Sequence, residues 1–170
     1  MTQTIYAPDQ YYHIYNRGVN RQPIFFTQHN WTFFLQRINE YFTSDKAIII
    51  AYCLMPNHYH LLAGVPEMSA LGELFRRAHG RTAHDWNTDD GALGRRVWYR
   101  YSDRAMRSEA HFYAALNYVH ANPVKHGWVA SPYAWEESSV HWYREHHGSP
   151  WLQDLWRLYP VREYGRGWDD

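Results

Sequence analysis

A single cysteine, Cys53, stands in the 170 residues, which excludes an internal disulfide and a cysteine-based zinc centre. Long apolar runs are missing too. The longest, Ala47 to Met55, is nine residues, about half of what a membrane helix needs. The opening MTQTIYAPDQ has neither a basic start nor an apolar core, so no secretory leader is expected and a soluble cytoplasmic protein is. Charge of one sign is also lacking. Seventeen Lys and Arg balance 17 Asp and Glu, so a polyanionic partner would be held by a local patch rather than by the whole surface. No repeat or low-complexity segment occurs, and the length suits one domain with a sizeable core.

Aromatic rings are in excess, with nine Trp and 15 Tyr. Rings thicken a core and also stack bases, and composition does not separate the two uses. Charge, though balanced, is unevenly spread. From Arg76 to Arg107 eight Arg face four Asp (+4), whereas from Ser108 onward five Lys and Arg face eight Asp and Glu (−3). The middle of the chain suits phosphates, and its end does not.

The stretch AIIIAYCLMPNHYHLLAGVP, from Ala47 to Pro66, reads as a β-hairpin: apolar segments Ala47 to Met55 and Tyr59 to Val65 flank Pro56 and Asn57, a pair suited to a tight turn. Side chains alternate along a strand, so His58 and His60 share one face and Tyr59 points to the other. Twelve histidines produce about one His-x-His pair by chance. The pair is therefore open to two readings, satisfied structural histidines or a metal or catalytic site, and its apolar strand demands partners for both rings in either case.

Before the hairpin, YYHIYNR (Tyr11 to Arg17) is strand-like and ends at Gly18, and Arg17 and Arg21 flank the following loop. Thr27 is a plausible N-cap for a helix with Trp31, Phe34, Leu35, Ile38, Tyr41 and Phe42 at helical spacing. After the hairpin, Ser69 to about Asp85 reads as a second helix, with Leu71, Leu74, Phe75 and Ala78 inward and Arg76, Arg77 and Arg81 elsewhere on its surface. A polar loop spans 87–94, and VWYRY (Val97 to Tyr101) reads as a fourth strand, followed by Arg100, Arg104 and Arg107 along one edge. Exposed arginines of this kind are more often solvated charges than phosphate contacts, and both readings stay open for them. Ser108 caps a third helix expected to run to about Ala121, where Pro123 stops it. At 100° per residue Tyr118, Asn122 and His111 fall together at the margin of that helix's core stripe of Phe112, Ala115, Leu116 and Val119. His146 and His147 are adjacent, a poor spacing for a metal, and the aromatic sequence beyond Gly127 reads as a short helix or two.

This order predicts an α+β fold. It is the ferredoxin-like split β-α-β arrangement, an antiparallel four-stranded sheet with helices on one face, then a tyrosine-bearing helix. Residues 1–170 form a single domain, with 128–170 as a short helical extension. The fold alone leaves function open. Read from the residues, a non-catalytic nucleic-acid module and a metal-dependent small-molecule hydrolase both remain, the second weakened because no acidic residue lies between Lys46 and Pro66.

The segments YYHIYNRGVNRQPIFF, AYCLMPNHYHLL and NYVHANPVKHGWV resemble, in order, the motifs of the REP-associated tyrosine transposases, single-tyrosine nucleases of the IS200-like superfamily. The likeness spans about Tyr11 to Trp142. It implies that His58 and His60 bind a divalent metal, Mg²⁺ or Mn²⁺, and that Asn122 is the third ligand, where insertion-sequence relatives commonly have glutamine. Tyr118 would be the nucleophile, cutting single-stranded DNA through a 5′-phosphotyrosine bond. Targets of this family are palindromic hairpins with a short flanking tetranucleotide, and its members work as monomers or homodimers. Arg17, Arg21, Arg76, Arg77, Arg81, Arg100, Arg104, Arg107 and Lys125 are the set from which DNA contacts would come. A phenol, ordinarily near pKa 10, needs help to become a nucleophile at neutral pH, and the sequence names no base for it.

Overall fold

The computed structural model describes residues 11–42 and 47–168; the opening decapeptide, on which the leaderless expectation rests, lies outside them. Four strands, β1 (Tyr11–Arg17), β2 (Ile48–Met55), β3 (His58–Gly64) and β4 (Ser102–Ala105), form one antiparallel sheet in the order β2-β3-β1-β4. Helix α1 (Gln28–Tyr41) joins β1 to β2, and α2 (Met68–Asp89) joins β3 to β4. This is the split β-α-β topology expected from the element order. Helix α3 (Glu109–Lys125) follows, then α4 (Val140–His147) and α5 (Ser149–Leu158).

Alternation along the strands sorts side chains into two cores. Tyr12 and Ile14 of β1 and Tyr59, Leu61 and Ala63 of β3 pack beneath α1 and α2 with Phe34, Ile38, Phe75, Trp86 and Trp98. Ala51, Cys53, Met55 and Leu62 face the other way and are covered by Phe112, Leu116 and Val119 of α3 and by Val140, Leu152 and Leu155 of the extension. Helices therefore cover both faces, where a one-sided covering is expected from the first six elements alone. Thr27 caps α1 reciprocally with Asn30, an arrangement worth about 1 kcal/mol.

Three boundaries differ from the sequence reading. Helix α2 runs to Asp89, past the expected end near Asp85 and into the expected polar loop. The fourth strand is Ser102–Ala105 rather than Val97 to Tyr101. Trp98 makes only an isolated bridge with Gly18, its ring turned into the α1/α2 core and its indole N–H given to Thr82 Oγ1 at 2.9 Å. Packing of a large ring outweighs strand propensity there. Helix α3 also runs through Pro123 to Lys125. Proline near a helix end removes a single i→i−4 bond, and buried Pro123 still accepts the Trp128 N–H at 2.9 Å while Gly127, at φ 71, turns the chain away. Among the described residues no helix is long and apolar enough to cross a membrane.

Candidate active site

The face of the sheet beneath α3 gathers the histidines. Cross-strand register sets Tyr15 opposite His60 and Arg17 opposite His58, and His13, one alternation step along β1, lies on the same side. His13, His58 and His60 are all buried. The two rings of the His-x-His pair stand 5.3 Å apart, centroid to centroid, at 88°. Each is fixed through its Nδ1. His58 Nδ1–H donates to Asn57 Oδ1 at 2.7 Å, and His60 Nδ1 shares a hydrogen bond with His13 Nε2 at 3.0 Å. His13 Nδ1 in turn shares a hydrogen bond with the Tyr164 hydroxyl at 2.7 Å. A ring whose proton sits on Nδ1, as His58's does, offers its Nε2 lone pair to a cation.

Helix α3 delivers the remaining groups. Asn122 Oδ1 lies 3.2 Å from His58 Nε2. Two acceptors at that spacing suit neighbouring positions around a shared cation, since an octahedron with bonds of about 2.1 Å has edges of about 3 Å. Among the described residues no three His, Cys, Asp or Glu side chains are grouped to hold a metal; a cation placed between the two imidazoles would need the amide as a further donor. Such a donor set is compatible with Mg²⁺ completed by substrate oxygens and suits Mn²⁺ better. Tyr118, four residues before Asn122 and hence on the same side of α3, brings its ring within 5.3 Å of His60 and 5.6 Å of His13, centroid to centroid.

Tyr118 is only 2% exposed and Asn122 is fully enclosed. The sequence sets both at the margin of the helix; the difference comes from residues 164–168, which lie over the site. The Tyr118 hydroxyl donates to the Gly165 carbonyl at 3.5 Å and accepts from Lys125 Nζ at 3.1 Å. Tyr164 stacks on His13 at 5.6 Å and Trp168 packs 4.6 Å from it. Arg104, opposite His13 in the β1–β4 register, caps both rings at 5.5 and 4.5 Å. Burial pushes the Tyr164 phenol well above its ordinary value, against the opposing pull of Arg104. A Cβ on Gly165 would come 2.3 Å from the Tyr118 ring, and φ there is 77°, so only glycine fits this approach.

The extension is tied to α3 by the neighbours of Tyr118. Asn117 Nδ2 donates to the carbonyls of Leu155 and Tyr159 at 3.0 and 2.7 Å. His120 Nε2 meets Ser139 Oγ at 2.9 Å, and burial lowers its pKa to about 3.

The predicted cationic set divides. Arg17 lies over Tyr99 at 4.4 Å, at the end of β1 beside His58, and Arg104 and Lys125 reach the cluster itself. Arg21, Arg100 and Arg107 are exposed. Arg76, Arg77 and Arg81 are not brought to the histidines. They sit on α2, across the sheet, where Arg76 pairs with Glu73, Arg81 with Asp85, and Arg77 lies over Tyr41. Sequence reasoning missed His13, Tyr15 and Asn57 as neighbours of the pair, although alternation from Arg17 back to His13 carries that signal. It also missed His126, whose ring stands 5.0 Å from that of His58.

The pattern of the family described as "Transposase IS200 like" matches residues 6–120. The chain is 28% identical over 96 residues to a REP-associated tyrosine transposase of Escherichia coli K12, covering 55% of this chain and 54% of that protein. It is 29% identical over 106 residues to a Haemophilus influenzae protein provisionally given the same name, covering 54% and 58%. It thus spans little more than half the length of either relative. A solved REP-associated tyrosine transposase bound to a REP hairpin superposes with a TM-score of 0.71 over 88% of each chain at 20% identity, a likeness of fold.

Proposed function

The chain belongs to the family of IS200-like transposases, and on that premise we propose that it is a metal-dependent single-stranded DNA endonuclease and transposase acting beside palindromic hairpins. One observation carries the reading: a phenol, two imidazoles and an amide from different parts of the sequence converge in one cluster. Tyr118 is the nucleophile. Its oxygen bonds to phosphorus as the bond from phosphorus to the 3′ oxygen breaks, leaving a 5′-phosphotyrosine and a free 3′-hydroxyl. The phenol loses one proton and the departing oxygen gains one, so the step balances and can run backwards to rejoin the strand.

His58, His60 and Asn122 are the residues that would hold a divalent ion, Mn²⁺ or Mg²⁺. The bound ion supplies charge neutralisation at a non-bridging phosphate oxygen. His13 and Asn57 keep the two imidazoles turned with Nε2 inward. The partner is single-stranded DNA with a palindromic hairpin and a short flanking tetranucleotide, its phosphates met by Arg17 and Arg104 and by the exposed Arg21, Arg100 and Arg107. A hairpin is what the structurally similar transposase holds. Because Tyr118 is 2% exposed beneath residues 164–168, a phosphodiester reaches the phenol only when that segment moves aside.

The test is a labelled hairpin oligonucleotide incubated with the protein and Mn²⁺, read as a covalent adduct that survives denaturing electrophoresis. Wild type should form it and Tyr118→Phe should not. An adduct in Tyr118→Phe would sink the assignment. Tight hairpin binding with no adduct from wild type would favour a second reading, a non-catalytic binding module, which the covered phenol also suits.

A further inference from the structure

We propose that Lys125 is a catalytic residue, one that stabilises negative charge on the Tyr118 oxygen both when it attacks and when it later departs. The inference rests on Tyr118 being the nucleophile. Nothing in the composition of the chain singles out Lys125, and its plainest role would be one more phosphate contact. The geometry points elsewhere. Seven residues make nearly two turns, so Lys125 stands on the same side of α3 as Tyr118, displaced by about 20°. Its Nζ donates to the Tyr118 hydroxyl at 3.1 Å and lies 5.2 Å from the ring centroid.

The passage of α3 through Pro123 creates this contact. A helix ending at Ala121 would leave Asn122 and Lys125 on a turn, out of line with Tyr118; the helix instead continues to Lys125 and closes with His126 N–H on the Asn122 carbonyl at 3.0 Å. The Gly165 carbonyl, 3.5 Å from the hydroxyl, takes the phenol's hydrogen and offers the oxygen nothing. Lys125 alone of these two supplies a donor and a positive charge at the atom that reacts. An ammonium donor placed where charge develops acts as oxyanion donors do elsewhere. It stays protonated throughout: the phenol proton leaves to solvent and the 3′ oxygen takes one from solvent, so no co-reactant is needed. On rejoining, the 3′-hydroxyl attacks phosphorus and the phenolate departs towards the same cation.

Single-turnover cleavage and rejoining at saturating hairpin DNA and Mn²⁺ test this, with hairpin affinity measured separately in a Tyr118→Phe background. Lys125→Ala should slow both directions by about 100-fold or more while affinity changes less than about threefold. Lys125→Arg, which keeps a cation and a donor, should recover most of the rate. If Lys125→Ala weakens hairpin binding and leaves the saturated rate intact, the residue is a phosphate contact and the proposal fails. It fails as well if Lys125→Arg is as slow as Lys125→Ala with both variants melting like wild type. A wild type that forms no adduct in this assay fails at the nucleophile instead, and takes the inference with it.

Discussion

On the face of the sheet under α1 and α2, the Tyr59 hydroxyl meets His79 Nε2 at 2.7 Å, with the Asn16 amide 3.4 Å from the same nitrogen. On the opposite face, Tyr118 stands by His60, with the Asn122 amide against His58. The two clusters use the same residue types, and neighbouring residues of one strand build both. They differ in where the ring nitrogens point. His79 is consumed by its own phenol and boxed in by Phe75 at 5.3 Å and Trp98 at 4.6 Å, so its nitrogen is satisfied within a packed core. His58 and His60 instead have Nδ1 held from behind by Asn57 and His13, and Nε2 turned inward. Burial is common to both sites; convergence of basic atoms belongs to one.

The largest contrast is expected in metal affinity. His60→Ala should weaken Mn²⁺ binding by about 100-fold or more, since even residues behind a metal ligand are worth 10- to 100-fold, and calorimetry on DNA-free protein reads it directly. His79→Ala should leave Mn²⁺ affinity within about twofold and instead lower stability by about 2–4 kcal/mol, the range for emptying a core site. Equal losses of Mn²⁺ affinity in the two variants would erase the distinction between the faces.

Acid offers the next largest effect. Burial lowers His79 to about 3 from an ordinary 6.5, so the unfolded chain takes up its proton before the folded one does. Its stability is therefore complete above about pH 6.5 and declines as pH falls towards 3, by at most about 1.4 kcal/mol per pH unit, and by less because part of the ring still meets solvent. In metal-free urea titrations, His79→Phe should flatten that part of the pH profile. A profile parallel to wild type between pH 6 and 4 would show that the pair carries no such linkage.

The smallest effect concerns the cover, which only the Tyr118 face possesses. Gly165→Ala introduces a methyl at 2.3 Å from the Tyr118 ring on a backbone at φ 77°. The segment 164–168 should lift, raising adduct formation roughly fivefold, about 1 kcal/mol of lost contact, and speeding trypsin cleavage at the exposed Arg162 and Arg166 as the backbone around them loosens. Faster trypsin cleavage without more adduct would mean that the cover does not limit access to the phenol.

Much of this was legible beforehand. Period-two alternation put His58 and His60 on one face and Tyr59 on the other, and the order of elements specified the sheet. Fixed helical geometry put Asn122 on the side of Tyr118. What local patterns could not carry was the company each residue keeps. Trp98 left the strand pattern because its ring found a core, and α3 outran Pro123 because a proline in a last turn costs little. The cover over Tyr118 came from more than forty positions further along, 47 residues for Gly165, and no periodicity encodes such a meeting.

Arg104 lies over Tyr164 and Trp168, while His13 is hydrogen-bonded to the Tyr164 hydroxyl. Planar rings and a hydroxyl are also what a nucleotide presents, so under the proposed function the segment 164–168 occupies side chains that a strand of DNA would meet. On that reading a substitution at Arg104 or His13 alters the hold on the segment and, where DNA takes its place, the hold on the DNA together. Selection for tighter target recognition through those two side chains would, by the same stroke, fasten the lock.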